Sequence, residues 1–186
     1  MDPRSDDGLN QFDELSGYNV FTTDRPLRDA VMAAGAQWAI PRLESYGAAV
    51  GSRQSFIEAE DANRHVPELS IFDQRGRRID RVDFHPAWHA QMARYRNAGW
   101  ISLPFRDDRP GRWVADMAGL YLQCQVESGS TCPSTMTWAS IAVLQREAGL
   151  WTLLRDRLLS DEYDPRDLPI EQKRSIYIGM GMTEKQ

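Results

Sequence analysis

Two cysteines in 186 residues are too few for a disulfide scaffold, and Cys124 and Cys132 lack the CxxC spacing of a redox or metal pair. Reduced thiols in a bacterial-type cytosolic protein are expected, with Cys124 a small core residue on an inward helix face. No stretch approaches the roughly 20 consecutive apolar residues of a membrane span. The opening MDPRSDDGLNQFDELSG is acidic and has no apolar segment, so it does not read as a secretory signal. Basic charge is also short: 22 Lys and Arg stand against 27 Asp and Glu, a net charge of -5. Duplex binders carry a basic stripe that neutralises phosphates, so DNA binding by this chain itself is not expected. Internal repeats and low-complexity segments are absent too.

What is present suits one globular domain: 41% hydrophobic residues, with aromatics making up 10% of the chain, over a length that can bury a sizeable core. Residues 1–16 lack apolar periodicity and are expected to form an arm with few hydrogen bonds to the body. TTDRPLRDAVMAAGA predicts a helix, with Thr23 or Asp24 as cap, Pro26 in the first turn and Gly35 at the end. A second helix starts near Gln37, and a third runs from a Ser52 cap and stops before Pro67. ELSIFDQRGRRIDRVDF changes rhythm and predicts a small hairpin or extended connector near 70–84. His85-Pro86 then opens a helix with Trp88, Met92 and Tyr95 on one face.

RWVADMAGLYLQCQVESG has the strongest helical pattern. Trp113, Met117, Leu120, Tyr121 and Cys124 recur at i, i+4, i+7, i+8 and i+11, which predicts a buried face against the next helix, closed by Gly129. In CPSTMTWASIAVLQREAGL, Pro133 lies in the first turn and Gly149 near the end. Its apolar residues surround the wheel, which predicts burial on most sides. A shorter amphipathic segment, WTLLRDRLLSDEYD, follows. SIYIGMGMTEKQ reads as a strand with no partner in the chain, and one strand cannot make a sheet. The expected fold is mostly α, with about six or seven helices and a terminal strand that enters a β-domain not contained here.

The terminal GMGMTEKQ resembles the motif that enters the middle β-domain of flavin-dependent acyl-CoA dehydrogenases, in the variant found in their adaptive-response, AidB-like branch. FHPAWHAQM (84–92), VESGSTCPSTMTWA (126–139) and LSDEYDPRDLP (159–169) resemble the same branch, so the likeness spans roughly residues 20–186. It implies a helical N-terminal domain over 17–174, with 175–186 as the first strand and start of the flavin-contacting motif. It also implies FAD as cofactor of the complete protein, with Met182, Thr183, Glu184, Lys185 and Gln186 at the flavin. A flavin gathers negative charge on its pyrimidine edge when it accepts hydride, so backbone N–H groups and a Thr hydroxyl suit that place. Gly179 and Gly181 would let the backbone come close to a planar ring.

The resemblance further implies a homotetramer, an acyl-CoA-like ligand, a link to the DNA alkylation response, and DNA contact only through a C-terminal region absent from these residues. The family's proton-abstracting Glu also lies beyond them; Glu184 belongs to the flavin motif instead. The chain alone is therefore expected to be inactive, the alternative being a stand-alone helical interaction or regulatory module. The helix after Pro133 is expected to help wall the substrate cavity, with Met136 and Trp138 as candidates. His85 and His89 have metal-ligand spacing but no third ligand, so capping and buried hydrogen bonds are expected of them. The Ser and Thr residues at 130–137 lack an activating base and read as caps and packing groups. Arg75, Arg77, Arg78 and Arg81, interleaved with Asp73, Asp80 and Asp83, read as a solvated turn with local ion pairs, a phosphate contact being the alternative.

Overall fold

The computed structural model describes residues 15–181, so most of the expected arm at 1–16 and the whole Met182–Gln186 motif lie outside the described residues. Local chemistry sets the first helices. Asp24 caps α1 (Arg25–Ala33) by accepting from the Leu27 N–H at 2.9 Å, and Gly35 ends it with φ of 74°. A 3₁₀ turn at Gln37–Ala39 leads into α2 (Ile40–Val50), with Pro41 in its first turn. Ser52 caps α3 (Arg53–Arg64) through the Ser55 N–H. β1 (Glu68–Phe72) and β2 (Arg78–Asp83) form an antiparallel hairpin with exposed side chains, the one sheet among the described residues.

His85 caps α4 (Pro86–Asn97), its Nδ1 accepting from the Ala87 N–H at 3.2 Å. A four-residue α5 (Leu103–Arg106), not expected from the pattern, precedes α6 (Arg112–Cys124), α7 (Thr131–Leu144) and α8 (Ala148–Leu158). Eight α-helices and one hairpin among the described residues make the fold mostly α, as expected, with one or two helices more than the pattern suggested. No helix among the described residues is long and apolar enough to cross a membrane.

The core joins Phe21, Val31, Leu43, Trp100, Leu122 and Ile141 from every part of the chain. A buried polar chain runs through it: Tyr46 donates to Gln123 Oε1 at 2.6 Å, Gln123 Nε2 to Gln91 Oε1 at 2.9 Å, and Gln91 Nε2 to the Ser55 carbonyl at 3.0 Å. It ties α2, α6, α4 and α3 together with each group's partner in place.

Helix α6 turns the opposite face inward from the one its large residues predict. Ala115, Asp116, Ala118, Gly119, Leu122 and Gln123 are buried, whereas Trp113 and Met117 are 43% exposed and Tyr121 50%. Leu120 is half-buried, and Cys124, expected in the core, is exposed. Small residues win the inward face because the helix packs closely: a Cβ on Gly119 would sit 2.4 Å from Trp100 Cδ2. A periodicity of large residues cannot see that a row of Ala and Gly allows a tighter fit. Tyr121→Ser should accordingly change the unfolding free energy by less than about 0.5 kcal/mol. A larger loss in urea denaturation would mean that the stripe is covered in solution.

Two further boundaries differ from expectation. Helix α6 ends at Cys124, and Gly129 instead donates its N–H to Glu127 Oε1 in the connection that follows. Helix α7 stops at Leu144, because Glu147 caps a new helix through the Gly149 and Leu150 N–H groups; Gly149 thus opens α8. Nor is α7 buried on most sides. Thr131, Ser134, Thr137 and Ile141 face in, and Val143 is 69% exposed.

Candidate functional site

Helix α7 buries its hydroxyls by turning them onto its own backbone. Ser134 donates to the Ser130 carbonyl at 3.2 Å, and Thr137 to that of Pro133 at 2.8 Å. With these groups satisfied inside beside Ile141, Met136 and Val143 are left on the outer side. Residues 175–181, expected to be a strand, form none among the described residues: they have no strand to pair with and rest against α7 instead. The Ile178 N–H donates to Thr137 Oγ1 at 3.0 Å, so this buried hydroxyl serves both helix and segment.

A groove of about 540 Å³ results, walled by Met136, Ala139 and Val143 of α7 and by Ile178, Gly179 and Met180. No charged side chain lines it, and a Cβ on Gly179 would meet nothing within 4 Å. The site therefore suits a largely apolar guest. Met136 lies in the groove wall. Trp138 lies outside it, packed edge-on to Trp113 at 5.4 Å and Phe105 at 6.0 Å. Met182, Thr183, Glu184, Lys185 and Gln186 follow the groove's rim in sequence, outside the described residues.

Pattern reading passed over two buried charged groups. Arg96 is fully buried and donates to the carbonyls of Ser160, Arg157, Leu158 and Ile176, while its guanidinium stacks 4.8 Å from the Tyr177 ring. It thereby ties the end of α8 to the groove-forming segment; burial holds its pKa below the usual arginine value. Asp116 is also fully buried, and neither carboxylate oxygen has a hydrogen-bond partner among the described residues. Burial pushes its pKa up to about 7. The Trp138 indole opposes this in part, although its N–H makes no full hydrogen bond to the carboxylate. Both were hidden because a lone Arg or Asp within an amphipathic pattern reads as surface.

The other candidates have structural surroundings. His85 is a cap stacked on His65 at 4.3 Å, and His89 Nδ1 lies 2.6 Å from the Tyr163 hydroxyl, with burial holding the ring's pKa down. No group of three metal-ligating side chains occurs among the described residues. Arg77 pairs with Asp73, Arg78 with Asp80 and Arg81 with Asp83. Hydrogen bonds from the Arg77 backbone and side chain hold the Asp73 carboxyl below its ordinary value.

Residues 10–165 match the family model of the adaptive response protein AidB N-terminal domain. The chain is 42% identical over 187 residues to the acyl-CoA dehydrogenase-type protein AidB of Escherichia coli (strain K12), covering 96% of itself and 33% of that protein. Among solved structures, the apo form of Bd2924 superposes with a TM-score of 0.73 at 26% identity, over 82% of this chain and 32% of the other. Caenorhabditis elegans ACDH-11, in complex with C11-CoA, gives a TM-score of 0.72 at 22% identity, over 83% and 28%. At that identity the second likeness speaks for the fold alone. The chain thus spans about a third of the length of these relatives.

Proposed function

Because the chain belongs to the family of adaptive response protein AidB N-terminal domains, homologous to acyl-CoA dehydrogenases, we propose that it walls an FAD and acyl-thioester cavity in a larger oxidoreductase. The observation that carries this reading is the uncharged groove between α7 and residues 178–180. Met136, Val143 and Ile178 exclude water from an apolar guest, and Thr137 holds the segment in place. Beyond the rim, Thr183 would donate its hydroxyl, and the backbone at Met182 its N–H, to the pyrimidine edge of the flavin. FAD, when bound, supplies the hydride acceptor. No carboxylate among the described residues lines the groove, and the likeness to acyl-CoA dehydrogenases assigns proton abstraction to a Glu of another part of the complete protein. The complete protein would be a cytoplasmic homotetramer of the DNA alkylation response, reaching DNA through a region that this chain does not contain.

The test is optical. One Thr183 hydrogen bond contributes on the order of 1 kcal/mol, and a few such contacts cannot hold FAD. Residues 1–186 should therefore be colourless and leave added micromolar FAD unquenched. A protein continued through a β-domain and a second helical domain should be yellow. In it Thr183→Ala should weaken flavin binding or shift its potential, whereas His85→Ala should change neither. Tight FAD binding by the 186 residues alone would sink the assignment.

The exposed stripe of Trp113, Met117 and Tyr121 favours one further reading, a stand-alone helical interaction module. The reading frame after Gln186 separates the two: continuation into a Gly-Ser-Asp stretch supports the flavoprotein, a stop codon the module.

A further inference from the structure

Strand β2 pairs only with β1 among the described residues, so its other edge presents backbone N–H and C=O groups without a strand partner. Four consecutive residues, Asp80 to Asp83, line an open cleft of about 590 Å³ whose far wall includes Trp88, Tyr163 and Arg166. Every residue of β2 is exposed. A two-stranded ribbon is marginal by itself, and this one leaves Leu69, Ile79 and Val82 41–61% exposed.

The charge order of β2 selects an occupant. The strand reads Arg-Ile-Asp-Arg-Val-Asp from Arg78 to Asp83. Arg81 lies opposite Ser70 but Arg78 opposite Phe72, so β2 carries one extra residue, and Asp80 adopts the left-handed φ of 44° there. That bulge brings Arg78, Asp80, Arg81 and Asp83 to one face, in keeping with the Arg78–Asp80 and Arg81–Asp83 ion pairs, and leaves Ile79 and Val82 on the other. Read backwards, the strand has the opposite charge at every charged position.

We propose that the open edge of β2 pairs antiparallel with β2 of a second copy of this chain across a two-fold axis, making a four-stranded sheet. Arg78 then faces Asp83 of the second copy, Asp80 faces its Arg81, and Ile79 faces its Val82. The two bulges oppose each other, so the strands stay in step on both faces. Opposite charges and apolar side chains in cross-strand pairs favour this register, and a two-fold interface uses the same patch twice. Neither the pairing nor its failure bears on the flavin assignment.

Sedimentation equilibrium of the 186-residue chain tests it. The unaltered chain should show a monomer–dimer equilibrium. Arg78→Asp puts carboxylates opposite each other at both ends of the pairing, and Asp83→Arg puts guanidiniums there, so each variant alone should associate at least about tenfold more weakly. Mixed in equal amounts, the two variants restore Arg–Asp pairs at both ends and should dimerise again. Recovery on mixing also rules out misfolding of either variant. A chain that stays monomeric at every concentration, variants that associate as well as the original, or a mixture that stays dissociated would each overturn the proposal.

Discussion

Arg96→Leu should destabilise the domain by about 4 kcal/mol or more, a large part of the roughly 5–15 kcal/mol that holds a typical domain together. The guanidinium is wholly buried and pairs with no carboxylate among the described residues; four carbonyl oxygens surround it instead. Two of these, Arg157 O and Leu158 O, belong to the last turn of α8, where unpaired carbonyls and the helix dipole favour a cation. Leucine fills much of the space but leaves the carbonyls of Leu158, Ser160 and Ile176 unpaired, Arg157 O keeping only the Ile176 N–H, at about 1–3 kcal/mol for each that water cannot reach. Arg96→Lys should lose more than half as much, because one ammonium cannot reach four acceptors that a planar fork spans. Urea denaturation measures both, and amide exchange at Ile176–Ile178 should rise first. A loss below about 1 kcal/mol for the leucine variant would show that water already satisfies these carbonyls.

A second large effect depends on pH. The folded-state pKa of Asp116 is raised to about 7 from an ordinary 3.8. Between those values the unfolded chain gives up the proton while the folded protein keeps it. This group's contribution to stability is thus most favourable below pH 4, falls as pH rises towards 7, and levels off above. Asp116→Asn keeps the shape and removes the titration. It should be more stable than the parent at pH 8 by a few kcal/mol, since each tenfold gain in the carboxylate's proton affinity on folding corresponds to about 1.4 kcal/mol, and nearly equal to it at pH 4. The measurement is the difference between the two unfolding free energies from pH 4 to 8, in which the common acid titration of other carboxylates cancels. A difference that does not vary with pH would mean that the Asp116 carboxyl is solvated in the folded state.

Arg96 and Asp116 show where sequence reading stops. Each lies within a helix whose pattern is amphipathic, and a charged residue in such a pattern is ordinarily at the surface. What makes them interior is the arrival of distant chain: residues 157–160 and 176–177 around Arg96, and Trp138 beside Asp116. No local signal encodes that arrival. The groove was partly legible, since Met136 stood out on α7, but its second wall comes from residues 178–180, some forty positions away.

The chain's sequence determined what depends on neighbours along it. Asp24, Ser52 and His85-Pro86 start helices because a side-chain oxygen or nitrogen reaches an N–H two or three residues on. The Asp73–Arg77 turn, with Gly76 in the left-handed region, closes the hairpin for the same reason. The family was also readable, because its motifs are strings of particular residues along the chain. Tertiary structure decided which side of each helix went inside. On α6 both sides were apolar enough to be buried, and the small residues prevailed because Gly119 alone leaves room for the Trp100 ring. On α7 the hydroxyls went in because they could bond their own helix backbone, which left Met136 and Val143 to face out and form the groove. Burial depends on the fit between surfaces far apart in sequence, and a pattern along one helix holds only half of that fit.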